Sequence, residues 1–527
     1  MTTAFAAPGL PDTGAGARFE ALAGLSSVQR MDRASIDVHA PFTGALLGRI
    51  PRGTVADVDA AVRSARRAQE TWSALPVRQR ARVFTRFQEL LLDRREEMVD
   101  LIQLESGKAR RHAFEEILDT AVVARHYAVH GPHYLGPKRH AGTFPVLTTA
   151  LEVRHPVGVV GIVAPWNFPL ILSITDAIAA LVAGNAVVLR PDVQSSFTAL
   201  AAAELLYEAG LPRDVLQVVT GEGHELGPPL IDRVDFVMFT GSTRTGKIVA
   251  QQAAARLTGF SLELGGKNPM LVLDDADVDA AVEGAVRGAF VGAGQVCVSF
   301  ERLYLPNALY DRFVAKLVAR TRALRLGAAM DYTVDVGSMT SARQLGVVED
   351  HVADATAKGA TVLAGGRPRL DLGPLFYEPT ILVDVRPGMT AYAEETFGPV
   401  LAVYRYDDID DAIERANDTR YGLNASVWSR STRRATDVAK RIRCGTVNVN
   451  EAYAATWTAT SAPIGGMKES GIGRRHGEAG ILKYTEAQTI AVQRLMPLAP
   501  FPFLDEQRYG DLVARLVRIL GRVPGLR

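Results

Sequence analysis

The feature that most constrains this chain is an alternation that begins at Val157. Short apolar runs at Val157–Ala164, Ala186–Leu189, Val215–Val219, Val234–Phe239 and Ser261–Leu264 read as strands. The stretches Leu170–Ala183, Ser195–Ala209 and Gly246–Ala255 between them carry apolar residues at helical spacing. Strands alternating with helices predict βαβ units and a parallel sheet. A second alternation starts at Met270–Leu273. Helices at Ala280–Val291, Leu309–Leu324 and Val347–Lys358 follow, with strands at Thr361–Leu363, Thr380–Val383 and Val400–Tyr404. Amphipathic helices are predicted earlier, over Val55–Trp72, Val77–Ser106 and Ala113–His130. The fold class is therefore α/β with two parallel sheets, and such sheets bind ligands at the carboxyl ends of their strands.

Composition narrows what such a fold is for. A length of 527 residues suits two or three domains. A net charge of +1, with both signs spread along the chain, argues against a nucleic-acid partner. Two cysteines cannot build a disulfide framework, which favours a reducing compartment. Met1–Arg18 has neither the basic start nor the apolar core of a signal peptide, so a cytoplasmic location is expected. The most apolar stretch, Leu170–Leu189, holds Asp176, Gly184 and Asn185, unlike a membrane span. Residues up to Phe19 read as a flexible tail. Arg494–Arg527 carries an apolar helical face, Leu512, Val513, Leu516, Val517, Ile519 and Leu520, expected to dock on the body or on a second subunit.

Four motifs carry chemistry. Gly241 to Lys247 nearly spells a phosphate loop, but Ile248 stands where a Mg²⁺-binding hydroxyl is required. What survives is a Gly-rich turn into a helix N-terminus, which suits a phosphate-bearing ligand. Cys297 lies in a small turn after a helix, as a nucleophilic thiol or an inert buried one. Glu263 ends an apolar strand at Gly265-Gly266, as a general base of raised pKa or as the ion-pair partner of Lys267. Asn167, between Pro165 and Pro169 at another strand end, could donate to an oxyanion. His126, His130 and His133 share a helical face, but no acidic or thiol ligand stands beside them, and no metal is expected.

Pro165-Trp-Asn-Phe-Pro169, Glu263-Leu-Gly-Gly-Lys267, Gly294-Gln-Val-Cys297, Glu395-Thr-Phe-Gly-Pro399 and Gly465 to Arg474 together resemble the aldehyde dehydrogenase superfamily, in its order and spacing, from Ile36 to Gln493. The chain looks most like its actinobacterial succinate-semialdehyde dehydrogenase branch. The resemblance implies two Rossmann-like domains plus a small β oligomerisation extension. The expected division is a tail at 1–19, a cofactor domain at 20–138 and 159–264, and a thiol domain at 265–450. An active-site loop region would occupy 451–479, the extension 139–158 and 480–497, and a C-terminal segment 498–527.

It also implies roles. Cys297 would attack an aldehyde, Asn167 and the Cys297 backbone N–H would hold the oxyanion, and Glu263 would activate the hydrolytic water. Trp166, Gly241, Ser242, Leu264, Glu395 and Phe397 would bind NADP, with NAD as the alternative. Tyr453, Trp457 and Ser461 would line the aldehyde entrance. A homodimer or homotetramer is expected, with strands near Gly142–His155 and Thr489–Gln493 pairing between subunits. A catalytically silent scaffold subunit is the remote alternative.

Three departures stand out. Where the family usually has Lys-Pro-x-Glu, this chain has Arg190-Pro191-Asp192-Val193. Val193 brings no carboxylate against a 2′-phosphate and Arg190 could grip one, so NADP is expected. The chain holds 50 Arg to 9 Lys, so Arg190 also fits a general Arg-for-Lys habit. The helix after Phe168 lacks the Arg that faces a substrate carboxylate in related bacterial enzymes; Ser173 to Asp176 stand there. Ser299 replaces a possible second cysteine, so no local disulfide switch is expected.

Overall fold

A computed structural model describes residues 15–28, 34–141, 148–494, 499–500 and 503–522. Two mainly parallel sheets organise the chain. The first has six strands in the order Gly471–Ile472, Gly259–Glu263, Phe236–Thr240, Val159–Val163, Ala186–Arg190, Leu216–Val218, parallel except at its first pair. The second has seven, ordered Thr361–Ala364, Thr380–Val383, Val400–Tyr406, Phe300–Pro306, Asn268–Val272, Asn424–Trp428, Thr446–Val449, again parallel beyond the first pair. Helices cover both sheets and two apolar cores result. This is the α/β class that the alternation predicts.

The cores meet at one helix. Pro169–Val182 packs Leu170, Ile174 and Ile178 into the first core, while Phe168, Ile171 and Leu172 belong to the second. The loop before this helix therefore lies on the seam between the two bodies, at the carboxyl end of Val159–Val163. That is where an open parallel sheet leaves a crevice.

Several details differ from the sequence reading. The run Val77–Ser106 is two helices, Val77–Asp93 and Arg95–Ser106, parted at Arg94 (φ −100°, ψ 22°). The segment expected as a flexible tail ends in a helix, Ala15–Ala23, whose Phe19 ring sits 4.8 Å from Phe197; residues 1–14 lie outside the described residues. Within one chain, the segments named for the oligomerisation extension pair with each other. Thr485–Gln493 runs antiparallel to Thr148–Pro156, with Lys138–Ala141 on the far side; residues 142–147 lie outside the described residues. In the single chain the C-terminal helix Glu506–Leu520 leaves Leu512, Leu516, Val517 and Ile519 exposed.

The strand Phe300–Pro306 was absent from the reading, yet it is central and wholly buried. Glu301 and Arg302 disguise it. Each is fully partnered, Glu301 by Lys267 Nζ and the backbone N–H groups of Thr396 and Phe397, Arg302 by the carbonyls of Lys267, Arg415 and Ala416. Buried charges are tolerated when they are paired and hydrogen-bonded.

Candidate active site

The turn Trp166–Phe168 is held from behind. Lys108 Nζ donates to the Asn167 carbonyl at 2.7 Å, pairs with Glu116 at 2.5 Å and lies 3.7 Å over the Phe168 ring. Glu116 in turn accepts from the Leu170 and Ile171 N–H groups, at the open start of the helix. This buried pair fixes the backbone, so the Asn167 amide is free to face inward. Its Nδ2 donates to the Gln295 carbonyl at 3.0 Å.

Gln295 belongs to the turn that presents the thiol. The helix Val278–Phe290 ends, and Gly292, Ala293 and Gly294 follow with φ of +56°, +56° and +73°. A left-handed alanine costs about 1–2 kcal/mol, and such strain collects at functional sites. Gly294 admits no side chain, since a Cβ there would sit 2.1 Å from the Gly398 carbonyl. Asn268 Nδ2 holds the Cys297 carbonyl at 2.8 Å. Cys297 emerges partly buried on a cavity of about 110 Å³. Asn167 lines the same cavity, with apolar walls from Val122, Phe168, Ile171, Leu172 and Trp457. Burial pushes the thiol up to about 12; Arg475 pulls it down, while Glu263 and Glu395 push it up.

Glu263 ends its strand with Oε1 buried and without a hydrogen-bond partner. Lys267 is not its partner, because Lys267 pairs with Glu301. Burial pushes the Glu263 carboxyl to about 7, against the pull of Arg475 and Lys483. A carboxyl titrating there can take a proton from water near neutrality. Gly465 leaves it room: a Cβ there would stand 2.8 Å from Oε1. Glu395 accepts from the Gly266 N–H at 2.8 Å, and burial raises its carboxyl to about 8. A side chain on Gly265 would strike its other oxygen, at 2.2 Å.

Thiol and amide thus share a cavity at the seam of the two cores, and the carboxylate of Glu263 lies close enough to act on the thiol through its charge. A family model described as the aldehyde dehydrogenase family matches residues 28–490. The chain belongs to the aldehyde dehydrogenase family. A Mycolicibacterium smegmatis protein named as a putative NADP(+) succinate-semialdehyde dehydrogenase is 47% identical over 510 residues, covering 97% of this chain and 99% of its own. An Escherichia coli succinate-semialdehyde dehydrogenase (NADP(+)) is 37% identical, over 87% and 94% of the two chains. Among solved structures, an E. coli NADP-dependent enzyme superposes with a TM-score of 0.84 at 37% identity, covering 87% and 95%. An NAD+ complex of a Bacillus cereus aldehyde dehydrogenase gives 0.83 at 35%, covering 88% and 94%.

This aldehyde dehydrogenase has a surface that fits a dinucleotide. The Trp166 and Phe397 rings meet edge-on at 5.6 Å, beside Glu395. The helices Gly223–Ile231 and Thr243–Ala254 both begin at sheet carboxyl ends, where free N–H groups favour a phosphate. Ser242 caps the second, its Oγ accepting from the Thr245 N–H at 3.3 Å. Gly241 packs on the Phe239 ring, and Gly246 lets the Leu264 side chain approach where a Cβ would be 2.4 Å away. Lys247, the residue that mimics a phosphate loop, instead pairs with Glu469 at the surface.

Arg190, Asp192 and Ser461 stand in surroundings that their spacing does not foretell. Arg190 is not a free guanidinium: it is buried, and Nε and Nη2 both donate to the Gly221 carbonyl. Gly223 accommodates the group, since a Cβ there would lie 2.9 Å from Nη1. Asp192 caps the turn that follows, accepting from the Gln194 N–H. Ser461 is exposed and outside the cavity lining, whereas Tyr453 and Trp457 line it.

The sequence reading missed the supports. Lys108 and Glu116 lie far upstream and carry no motif. Asp176, read as a polar break, is buried and bound to Arg475 at 2.8 Å, Lys483 at 3.2 Å and Tyr484 Oη at 3.0 Å. Burial alone would raise it, but Arg475 and Lys483 hold it at about 2. Only the helical spacing of Asp176 between buried apolar neighbours could have signalled this.

Proposed function

We propose that this aldehyde dehydrogenase oxidises a short semialdehyde to the acid with NADP, succinic semialdehyde being the leading substrate. The reading rests on one observation, that Cys297 and Asn167 share a cavity with the unpartnered carboxylate of Glu263 nearby. Cys297 Sγ attacks the aldehyde carbon to form a thiohemiacetal. Asn167 Nδ2, turning from the Gln295 carbonyl, and the Cys297 N–H hold the oxyanion; one such donor is worth about 10²–10³ in rate. NADP, when bound, would supply the hydride acceptor, and loss of hydride from the former aldehyde carbon leaves a thioester on Cys297. Glu263 takes a proton from the water that hydrolyses the thioester.

Glu395 would bind the nicotinamide ribose hydroxyls, with Phe397 against the ring, Ser242 and Trp166 at the phosphates, and the Gly241–Gly246 turn beneath them. The preference for NADP is supported by the relatives' names and by Val193, which opposes no 2′-phosphate. Arg190 contributes through its Nη1 face and by fixing Gly221. We place the protein in the cytoplasm as a homo-oligomer; among the described residues no helix is long and apolar enough to cross a membrane. The apolar cavity walls favour a second reading, an uncharged aliphatic or aromatic aldehyde.

Initial rates of reduced-cofactor formation test both points. The reading expects kcat/KM higher with succinic semialdehyde than with butanal or benzaldehyde, and higher with NADP than with NAD. A preference for the uncharged aldehydes refutes the substrate, and a preference for NAD refutes the cofactor.

A further inference from the structure

The cavity at Cys297 is apolar except at one end. There Arg287 enters from the last turn of the helix Val278–Phe290, and it is the one cation among the described residues that line the cavity. Arg287 is bound loosely. Nη1 stands 3.3 Å from Glu451 and Nη2 3.6 Å from Glu115, and the side chain is 44% exposed. Charge-assisted contacts of full strength are shorter, about 2.7–2.9 Å. Its guanidinium carbon lies 5.1 Å over the Tyr453 ring. Both acidic neighbours have other partners. Glu115 accepts from Tyr453 Oη at 2.8 Å, and Glu451 accepts from the Ala452 N–H at 2.8 Å. Either acid can release Arg287 without being stranded.

A second ionisable group lines the same cavity. Asp119 is nine-tenths buried, its Oδ2 has no hydrogen-bond partner, and it lines the cavity. Burial pushes its carboxyl to about 7. When protonated it is a donor to an acid oxygen rather than a repelling charge. An apolar tunnel between a thiol and a guanidinium suits an aldehyde whose far end is anionic.

We propose that Arg287 is the specificity-determining residue of this enzyme, exchanging its long contacts with Glu115 and Glu451 for the free carboxylate of the substrate. The assignment rests on the semialdehyde reading above. It also accounts for the missing cation on the helix after Phe168, because the charge comes from a different helix, Val278–Phe290.

The test compares kcat/KM for succinic semialdehyde and for butanal, its uncharged analogue of equal chain length. The ratio is measured in the parent, R287Q, R287K and E115Q. In R287Q the ratio is expected to fall tenfold or more, mainly through KM for the semialdehyde, and R287K recovers part of it. In E115Q the ratio rises, because a competing anion is gone while the Tyr453 hydroxyl keeps an acceptor. A ratio unchanged in R287Q, or falling in E115Q as far as in R287Q, overturns the assignment. If R287Q loses both substrates together, R287K and E115Q decide, and an unchanged ratio in both overturns it. A parent that prefers butanal overturns the semialdehyde reading itself. A parent preference for the semialdehyde that survives intact in R287Q overturns only the role of Arg287.

Discussion

Two buried acids close to the same seam have opposite surroundings. Glu301, in the centre of the seven-stranded sheet, is bound by Lys267 Nζ at 2.5 Å and by two backbone N–H groups. Glu263, at the end of a strand in the six-stranded sheet, leaves Oε1 buried and unbonded. The first is a structural charge, whose desolvation is offset by its partners. The second is held at a cost of about 1–3 kcal/mol for one unsatisfied group. Sequence alone cannot rank them, because both are glutamates in apolar strands. Partner count separates them, and the two cysteines divide in the same way. Cys444 is buried and donates to the Thr446 carbonyl, while Cys297 faces a cavity.

The comparison can be broken by substitution. The largest effect belongs to Cys297→Ala, which is expected to lower aldehyde oxidation by about 10⁴-fold or more while the fold and cofactor affinity persist. Steady-state turnover and cofactor titration check this together; a variant that keeps its turnover would remove the thiol from the mechanism. Next comes Glu301→Gln, which leaves Lys267 as an unpaired buried cation. A loss of about 3–5 kcal/mol in stability is expected, read as a lower denaturant midpoint, with no specific loss of turnover in the folded fraction. An E301Q protein as stable as the parent would mean that partner count is the wrong criterion. The smallest effect is that of Cys444→Ser. Its position is buried but catalytically idle, so about 1 kcal/mol of stability and unchanged kinetics are expected. A fall in kcat/KM would break the division between the two thiols.

The strand–helix alternation made both sheets legible, since periodicity reports which faces are apolar. It stopped short of the uncharged strands Asn424–Trp428 and Thr446–Val449, and it failed where a buried element carries charge. Phe300–Pro306 hid behind Glu301 and Arg302, and Asp176 passed for a polar interruption because its partners Arg475 and Lys483 lie about three hundred residues away. Such satisfaction is a tertiary fact, invisible to local spacing. At the site, Cys297, Glu263 and Asn167 were legible because glycines and prolines mark their turns. Lys108, Glu116 and Arg287 were not, because nothing in their own neighbourhood is unusual. Arg190 shows a further limit, since the motif departure that picks it out does not reveal that its Nε and Nη2 already bind the Gly221 carbonyl. The run Val77–Ser106 shows a milder limit, because one kink residue leaves the spacing of apolar positions almost unchanged.

The account turns on Glu263 as the base that resolves the thioester. As a carboxyl raised to about 7, it is active when deprotonated, so steady-state turnover in the parent should fall as pH drops below about 7. The most direct measurement is a rapid-mixing time course of Glu263→Gln with saturating aldehyde and NADP. The account predicts a burst of reduced cofactor of one equivalent per active site, followed by turnover about 10²–10⁴-fold slower than in the parent. It also predicts that the slow phase loses its acid limb. A variant with no burst, or one that passes from burst to parental turnover, would contradict the assignment.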